Sequence, residues 1–129
     1  MTIARLTTLT ALALALAAVA VAPVASAKGG DGVRVRGACT HSSTAKLKLS
    51  RDDGRIEIEF EVDQNRNGVR WDVTLHRNGA RVASTTATTH GPSGSFEVRR
   101  LIAQTRASDR INAVATRAFG ERCIARAAI

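Results

Sequence analysis

Residues 45–62 alternate between apolar and charged side chains on both sides of Asp53-Gly54, a dipeptide typical of two-residue hairpin turns. With this turn at the tip, the two halves fall into matching pairs: Leu47 with Phe60, Leu49 with Ile58, Lys48 with Glu59, and Lys46 with Glu61. Apolar residues meet on one face, and opposite charges meet on the other. Because a shift of one residue would destroy both patterns, the sequence predicts an antiparallel hairpin of strands 45–50 and 55–62.

The same alternation continues along the rest of the chain and predicts about eight short strands separated by turns. The first of them begins at Val33 and carries Cys39. A strand that begins at Val69 is expected to pair back on residues 55–62. That pairing would set the following residues opposite one another: Trp71 and Phe60, and Arg70 and Glu61. Trp71 shares its parity with apolar neighbours, so we expect it in the core rather than on a ligand-binding surface.

Asn78-Gly79 is another strong turn signal, and after it the chain returns through a strand over residues 80–89. In that strand Val82 is expected to lie opposite Leu75. Polar residues then replace aliphatic ones at the alternate positions: Ser84, Thr86 and Thr88. This change of residue type predicts an edge strand.

Residues 95–100 form the next predicted strand, after a turn rich in glycine and proline. Residues 109–118 fit both an alternating strand and one face of a helix. The strand is favoured, because the last strand, 121–127, must bring Cys123 back beside Cys39. The pattern therefore predicts an all-β fold class, an antiparallel sandwich over residues 33–129.

The N-terminal 27 residues have the features of a secretory signal peptide. Arg5 gives a positive start, an apolar run follows, and Ala25-Ser26-Ala27 supplies the small residues before a cleavage site. The run is short and alanine-rich for a membrane span, which favours cleavage over anchoring. We therefore expect a protein secreted from the cell, with a Gly-rich lead-in over residues 28–32.

Cleavage at this site predicts that the mature protein begins at Lys28. N-terminal sequencing of the protein from culture supernatant measures this directly. Recovery of the protein only in membranes, with Arg5 retained, would contradict the prediction.

The mature chain has two cysteines and a strong excess of arginine. Because an exported domain meets oxidising conditions, Cys39 and Cys123 are predicted to form a disulfide. Removing Arg5 leaves 18 basic and 11 acidic side chains, a net charge of +7. The charges are scattered and aromatic residues are few. We therefore expect at most weak, salt-sensitive contact with anionic wall polymers and no specific binding of nucleic acid.

The run from Ser95 to Arg100, followed by Asp109 to Ala115 and a closing strand, resembles the last three strands of bacterial immunoglobulin-like domains. The mature chain also resembles small secreted actinobacterial proteins of that kind, over residues 63–71 and at Asn78-Gly79. The resemblance implies fold and export but no active site, since the shared residues are turn and core residues. Antibody-type domains place their cysteines on the second and sixth strands, whereas here they lie on the terminal strands.

Two turns supply the candidate binding residues: Asp63, Asn65, Asn67, His90 and Ser93. The first turn, over residues 63–68, opens like a calcium-binding loop, but its twelfth position is Thr74 rather than glutamate. A plain connecting loop is therefore favoured, and no metal site, cofactor or catalytic residue is predicted. Three histidines occur without ligand spacing: His41, His76 and His90.

These observations predict a secreted, non-enzymatic module with a binding or structural role outside the cell or at its wall. The alternative is a proteinaceous inhibitor of a secreted hydrolase, which would present residues 63–68 or 89–95. An enzyme is disfavoured because no acid–base pair is evident. Fold alone does not decide among these functions.

Overall fold

The alternating pattern folds into nine strands in the computed structural model, which describes residues 32–129. The strands are β1 (Val33–Arg36), β2 (Ala38–Cys39), β3 (Thr44–Asp52), β4 (Arg55–Asp63), β5 (Arg70–Arg77), β6 (Ala80–Thr88), β7 (Ser95–Ala103), β8 (Arg110–Thr116) and β9 (Arg122–Ala128). The predicted signal peptide and the lead-in as far as residue 31 lie outside the described residues.

Two antiparallel sheets enclose one core, which confirms the predicted all-β sandwich. One sheet has four strands in the order β1-β3-β4-β7, and the other has five in the order β2-β9-β8-β5-β6. The inner faces supply the large buried side chains, among them Trp71 and Phe60, both fully buried. The expectation that Trp71 is a core residue is therefore confirmed.

The first predicted strand is divided between the two sheets at Gly37. β1 pairs with β3 in one sheet, and β2 pairs with β9 in the other. A Cβ atom on Gly37 would lie 2.7 Å from the carbonyl oxygen of Ile124 and 2.9 Å from the Cβ of Ala45. Glycine therefore allows the chain to pass closely between the sheet edges, which accounts for nine strands instead of eight.

The β3–β4 hairpin has the predicted register, with Leu47 opposite Phe60 and Leu49 opposite Ile58. The outward face carries the expected ion pairs: Lys46 Nζ to Glu61 at 3.5 Å, and Lys48 Nζ to Glu59 at 3.0 Å. Both turn residues, Asp53 and Gly54, have positive φ, as a two-residue primed turn requires.

The predicted pairing of β5 with β4 is wrong, because β7 takes that place. β5 lies in the other sheet, so Trp71 and Phe60 enter the core from opposite sheets and Arg70 does not face Glu61. On the inward face, β7 sets Val98 opposite Phe60 and Phe96 opposite Val62. Arg99 of β7 lies opposite Glu59 and forms ion pairs with it and with Glu57.

The β5–β6 hairpin turns at Asn78-Gly79 as predicted, and both residues have positive φ. Its register differs from the prediction, because Leu75 lies opposite Ala83 and a bulge leaves Val82 as the extra residue. β6 is the outermost strand of its sheet, which confirms the edge position.

The ambiguous segment 109–118 contains strand β8, as favoured, and no helix. β8 pairs with β9, and β9 also pairs with β2, so that Cys39 lies directly opposite Cys123. The two sulfur atoms are bonded at 2.10 Å, which confirms the predicted disulfide. It joins the two terminal parts of the domain, across a sequence separation of 84 residues.

Candidate functional site: the loop end of the sandwich

Four connections meet at one end of the sandwich and are called the loop end here: residues 40–43, 64–69, 89–94 and 117–121. The two turns singled out in the sequence are neighbours there. The amide of Gln64 donates a hydrogen bond to the carbonyl of Gly94 at 3.0 Å, and the amide of Gly68 donates one to the carbonyl of Thr89 at 2.7 Å. The two turns therefore form one continuous surface.

Thr89 joins the two turns through its buried side chain. Its hydroxyl accepts a hydrogen bond from the amide of Val69 at 2.9 Å and donates one to the carbonyl of Arg66. Gly94 closes the other side with a positive φ of 73°, and a Cβ atom there would overlap the backbone nitrogen of Arg66. These contacts hold the two turns in a fixed arrangement.

The five residues proposed from the sequence all lie on this surface, in two groups. Asp63 ends β4, and its carboxylate accepts a hydrogen bond from the amide of Asn65 at 2.9 Å, which shapes the local turn. Asn67 lies beside the second turn, where its side-chain nitrogen would be 3.2 Å from a Cβ on Gly91. His90 and Ser93 are both exposed in that second turn.

Trp71 forms the floor beneath the first turn. Its indole Nε1 donates to the side-chain oxygen of Gln64 at 3.0 Å, and its ring centroid lies 6.0 Å from that of Phe96. The guanidinium carbon of Arg117 lies 6.0 Å from the same ring. One buried side chain thus ties two of the four connections to the core.

Glu121 joins the connection 117–121 to the connection 40–43 from a fully buried position. One carboxylate oxygen accepts hydrogen bonds from the amides of His41 at 2.8 Å and Ser43 at 3.0 Å, and the other accepts one from the Ser43 hydroxyl. Burial raises the pKa of Glu121, but the hydrogen bonds from Ser43 and His41 outweigh it and lower the pKa below its ordinary value. The carboxylate is therefore a structural, ionised group.

A second buried carboxylate, Asp109, joins neighbouring connections at the opposite end of the sandwich. It accepts hydrogen bonds from the amide and hydroxyl of Thr105 and from the side chain of Asn78. Burial raises the pKa of Asp109, but these bonds lower it well below its ordinary value. Both carboxylates therefore have a structural role, because groups of the fold donate hydrogen bonds to them.

The lowered pKa values predict that the protein loses stability in acid. A carboxyl with a depressed pKa in the folded state stabilises the fold above its ordinary pKa, here 4.5 for Glu121 and 3.8 for Asp109, and the contribution is lost as the pH falls. Glu121→Gln should cost about 1–3 kcal/mol at neutral pH and flatten the acid dependence. Denaturant unfolding at neutral and acid pH measures both, and exposed Asp72→Asn is the matched control. If the free energy of unfolding of Glu121→Gln fell with pH as steeply as that of the wild type, the stabilising role of the Glu121 carboxylate would be contradicted.

Phe119 stands at the tip of the β8–β9 hairpin with its side chain fully exposed. Its φ is 54°, in the left-handed region, and the turn is closed by a hydrogen bond from the amide of Gly120 to the carbonyl of Arg117. A bulky residue at such a position is uncommon and costs about 1–3 kcal/mol. The sequence pattern alone did not indicate Phe119 as a site residue. The signal available was an aromatic directly before Gly120, at a turn beyond the end of β8.

One cluster of potential metal ligands occurs among residues 32–129: Cys39, Glu121 and Cys123, whose ligand atoms lie within 4.8 Å of one another. Both sulfur atoms belong to the disulfide, and the carboxylate is occupied by backbone and hydroxyl donors. The cluster is a structural junction between the terminal strands and the loop end.

No protein-family model, no curated protein and no solved structure matches this chain. Within residues 32–129, no helix is long and apolar enough to cross a lipid bilayer.

Proposed function

We propose that this protein is an exported, non-enzymatic binding module with an immunoglobulin-like sandwich, and that its loop end holds a partner protein outside the cell. The observation that carries the proposal is Phe119, a fully exposed aromatic side chain at the tip of a tightly held hairpin. The unfavourable backbone and the solvated ring both cost free energy in the isolated protein. Contact with an apolar pocket of a partner offsets that cost.

The loop end combines residue types that are typical of a protein interface. Such interfaces place aromatic anchors at the centre and polar residues at the rim. The neighbouring turns supply exposed polar side chains: Asn65, Asn67, His90 and Ser93. Because Thr89 joins these two turns and Glu121 joins the β8–β9 connection to residues 40–43, little conformational freedom is lost when a partner binds.

The sheet order supports the immunoglobulin-like interpretation. The run β9-β8-β5-β6 follows the order G-F-C-C′ of immunoglobulin variable domains, which carry their binding loops at the end that includes the F–G connection. The β8–β9 hairpin with Phe119 corresponds to that connection. The four-stranded sheet departs from the pattern, because β3 and β4 pair directly as a hairpin.

Export is supported by the signal-peptide pattern and by the disulfide, which is compatible with an oxidising compartment. A non-enzymatic role is supported by the state of the acidic groups. Glu121 and Asp109 are held in structural hydrogen bonds. The outward row on β4 is paired with basic side chains, and the hydrogen bond from Lys48 lowers the pKa of Glu59.

Phe119→Ser should weaken partner binding at least tenfold and leave the fold intact, because it removes the anchor but no core contact. Phe119→Gly should also lose binding, yet raise the free energy of unfolding by about 1 kcal/mol, since glycine accepts the left-handed backbone. Leu101→Ser is the matched control, because Leu101 is the other large exposed apolar residue among residues 32–129. The measurement is the affinity of each purified variant for the secreted protein that the mature wild type captures.

Equal losses in Phe119→Ser and Leu101→Ser would show that general surface hydrophobicity drives capture. Full binding by Phe119→Gly would show that the ring has no part in it. Either result would contradict the proposal.

Inhibition of a secreted hydrolase is the second candidate function. The observation that favours it is the rigidity of the presented hairpin, because inhibitors bind as preorganised surfaces. In this case the captured partner would be a hydrolase, and the mature protein would block it in a ratio of one to one. A captured hydrolase that keeps its full activity when saturated would exclude this function and leave the binding proposal intact.

A further inference from the structure

A cleft lies at the opposite end of the molecule from the loop end, on the outer face of the five-stranded sheet. It forms where β5 ends, β8 begins and β9 ends. The sheet register sets three side chains in a row across its floor: His76 opposite Asn112, and Asn112 opposite Arg126. Arg106 and Arg110 complete the lining on the side of the β7–β8 connection.

The cleft is strongly basic and lacks acidic side chains among its lining residues. Within residues 32–129, the guanidinium groups of Arg106, Arg110 and Arg126 form no ion pair with a carboxylate. Asp109, the acidic residue next to Arg110 in the chain, is buried and directed to Thr105 and its neighbours. Three uncompensated positive charges therefore share one concave surface.

Two polar atoms in the same cleft have no hydrogen-bond partner. They are the Nδ1 atom of His76 and the Oδ1 atom of Asn112, and both are buried. Buried polar atoms in folded proteins are almost always hydrogen-bonded, so these two atoms leave hydrogen-bonding capacity unused at the floor of the cleft. A ring nitrogen and an amide are suited to hydroxyl groups, whereas guanidinium groups are suited to oxyanions.

We propose that this cleft binds an oxyanion that carries neighbouring hydroxyl groups, the chemistry shared by sugar phosphates and uronates. Arg110 and Arg126 hold the oxyanion through their planar N–H donors. Asn112 and His76, whose side chains line the floor, take the hydroxyl groups. This inference is independent of the proposed function, because no residue of the loop end takes part in it.

The test is an NMR titration of the ¹⁵N-labelled mature protein at low salt. The probes are glucose 1-phosphate, glucuronate, inorganic phosphate and glucose. At least one of the two hydroxyl-bearing anions should shift the amides around Asn112 and Arg126 and bind at least fivefold more tightly than inorganic phosphate. Glucose should cause no shift. The two sources of the oxyanion are distinguished by which of glucose 1-phosphate and glucuronate binds more tightly.

Arg126→Ala should raise the dissociation constant at least tenfold. Arg122→Ala is the matched control, because Arg122 is exposed on the same face of β9 toward the other end of the strand, and it should change the constant less than twofold. Asn112→Ala should remove the preference for hydroxyl-bearing anions over inorganic phosphate. Arg126→Lys, which keeps the charge and the fold, should give an intermediate loss.

Equal losses in Arg126→Ala and Arg122→Ala, or shifts spread over all basic surfaces, would overturn the inference in favour of diffuse charge attraction. The absence of shifts at the cleft with every probe would overturn it as well. Phe119→Ser should leave anion binding unchanged, so the two proposals fail separately.

Discussion

Trp71→Ala should lower the free energy of unfolding by about 3–5 kcal/mol, one of the two largest effects expected in this protein. The side chain is fully buried between the two sheets, so its removal leaves a cavity. The change also breaks the hydrogen bond from the indole to Gln64 and the contacts with Phe96 and Arg117. The loss should therefore reach the loop end as well as the core. Denaturant unfolding followed by circular dichroism measures it.

Trp71→Phe is the control, because it keeps an aromatic ring in the core and removes the indole hydrogen bond with only part of the ring volume. It should cost clearly less than Trp71→Ala. Trp71 is the single tryptophan of the chain, so its fluorescence reports this position alone. Native emission should be blue-shifted and resistant to iodide. Red-shifted, easily quenched emission would contradict the buried position.

Replacing Cys39 or Cys123 with serine should cost about 2–5 kcal/mol. The bond closes a loop with a sequence separation of 84 residues and joins a two-residue strand, β2, to β9. A strand of that length has few contacts of its own, so the disulfide fixes its position. The connection that follows, residues 40–43, supplies the donors for Glu121, and we expect the loss to loosen the loop end.

Reduction of the wild-type protein provides the matched control, because it breaks the bond without changing the sequence. Unfolding of oxidised and reduced protein, together with non-reducing peptide mapping, gives the stability and the linkage. Two thiols that alkylate freely in the native secreted protein would contradict the linkage. A reduced protein as stable as the oxidised one would contradict its contribution.

The elements whose sequence patterns restrain each other were predictable. In the β3–β4 hairpin, apolar pairs, charge pairs and a positive-φ turn all require one register, and that register is found. Alternation states only which side of a strand faces the core, not which strand lies beside it. Alternation therefore allows β5 beside β4 as readily as β7, the strand that takes that position. The bulge at Val82 likewise has no local sequence signal.

Part of the candidate site was likewise predictable from the sequence, and part of it was not. The turns that contain Asn65 and His90 were recognisable from their residue types. Their contact through Thr89 arises because both connections pass from one sheet to the other at the same end of the sandwich. Phe119 was missed because its exposure follows from a left-handed backbone within a hairpin that only the sheet order reveals. The unpartnered atoms of His76 and Asn112 depend on the register of separate strands.

Site-specific photo-cross-linking can show whether the loop end holds a partner protein. Benzoylphenylalanine is introduced at Phe119 in one mature protein and at Leu101 in another, and each is irradiated with culture supernatant and wall material from producing cells. We expect one defined protein adduct from position 119, competed away by unlabelled wild type but not by Phe119→Ser, and none from position 101. Adducts from position 101 alone, or no adduct from position 119 in either fraction, would contradict it.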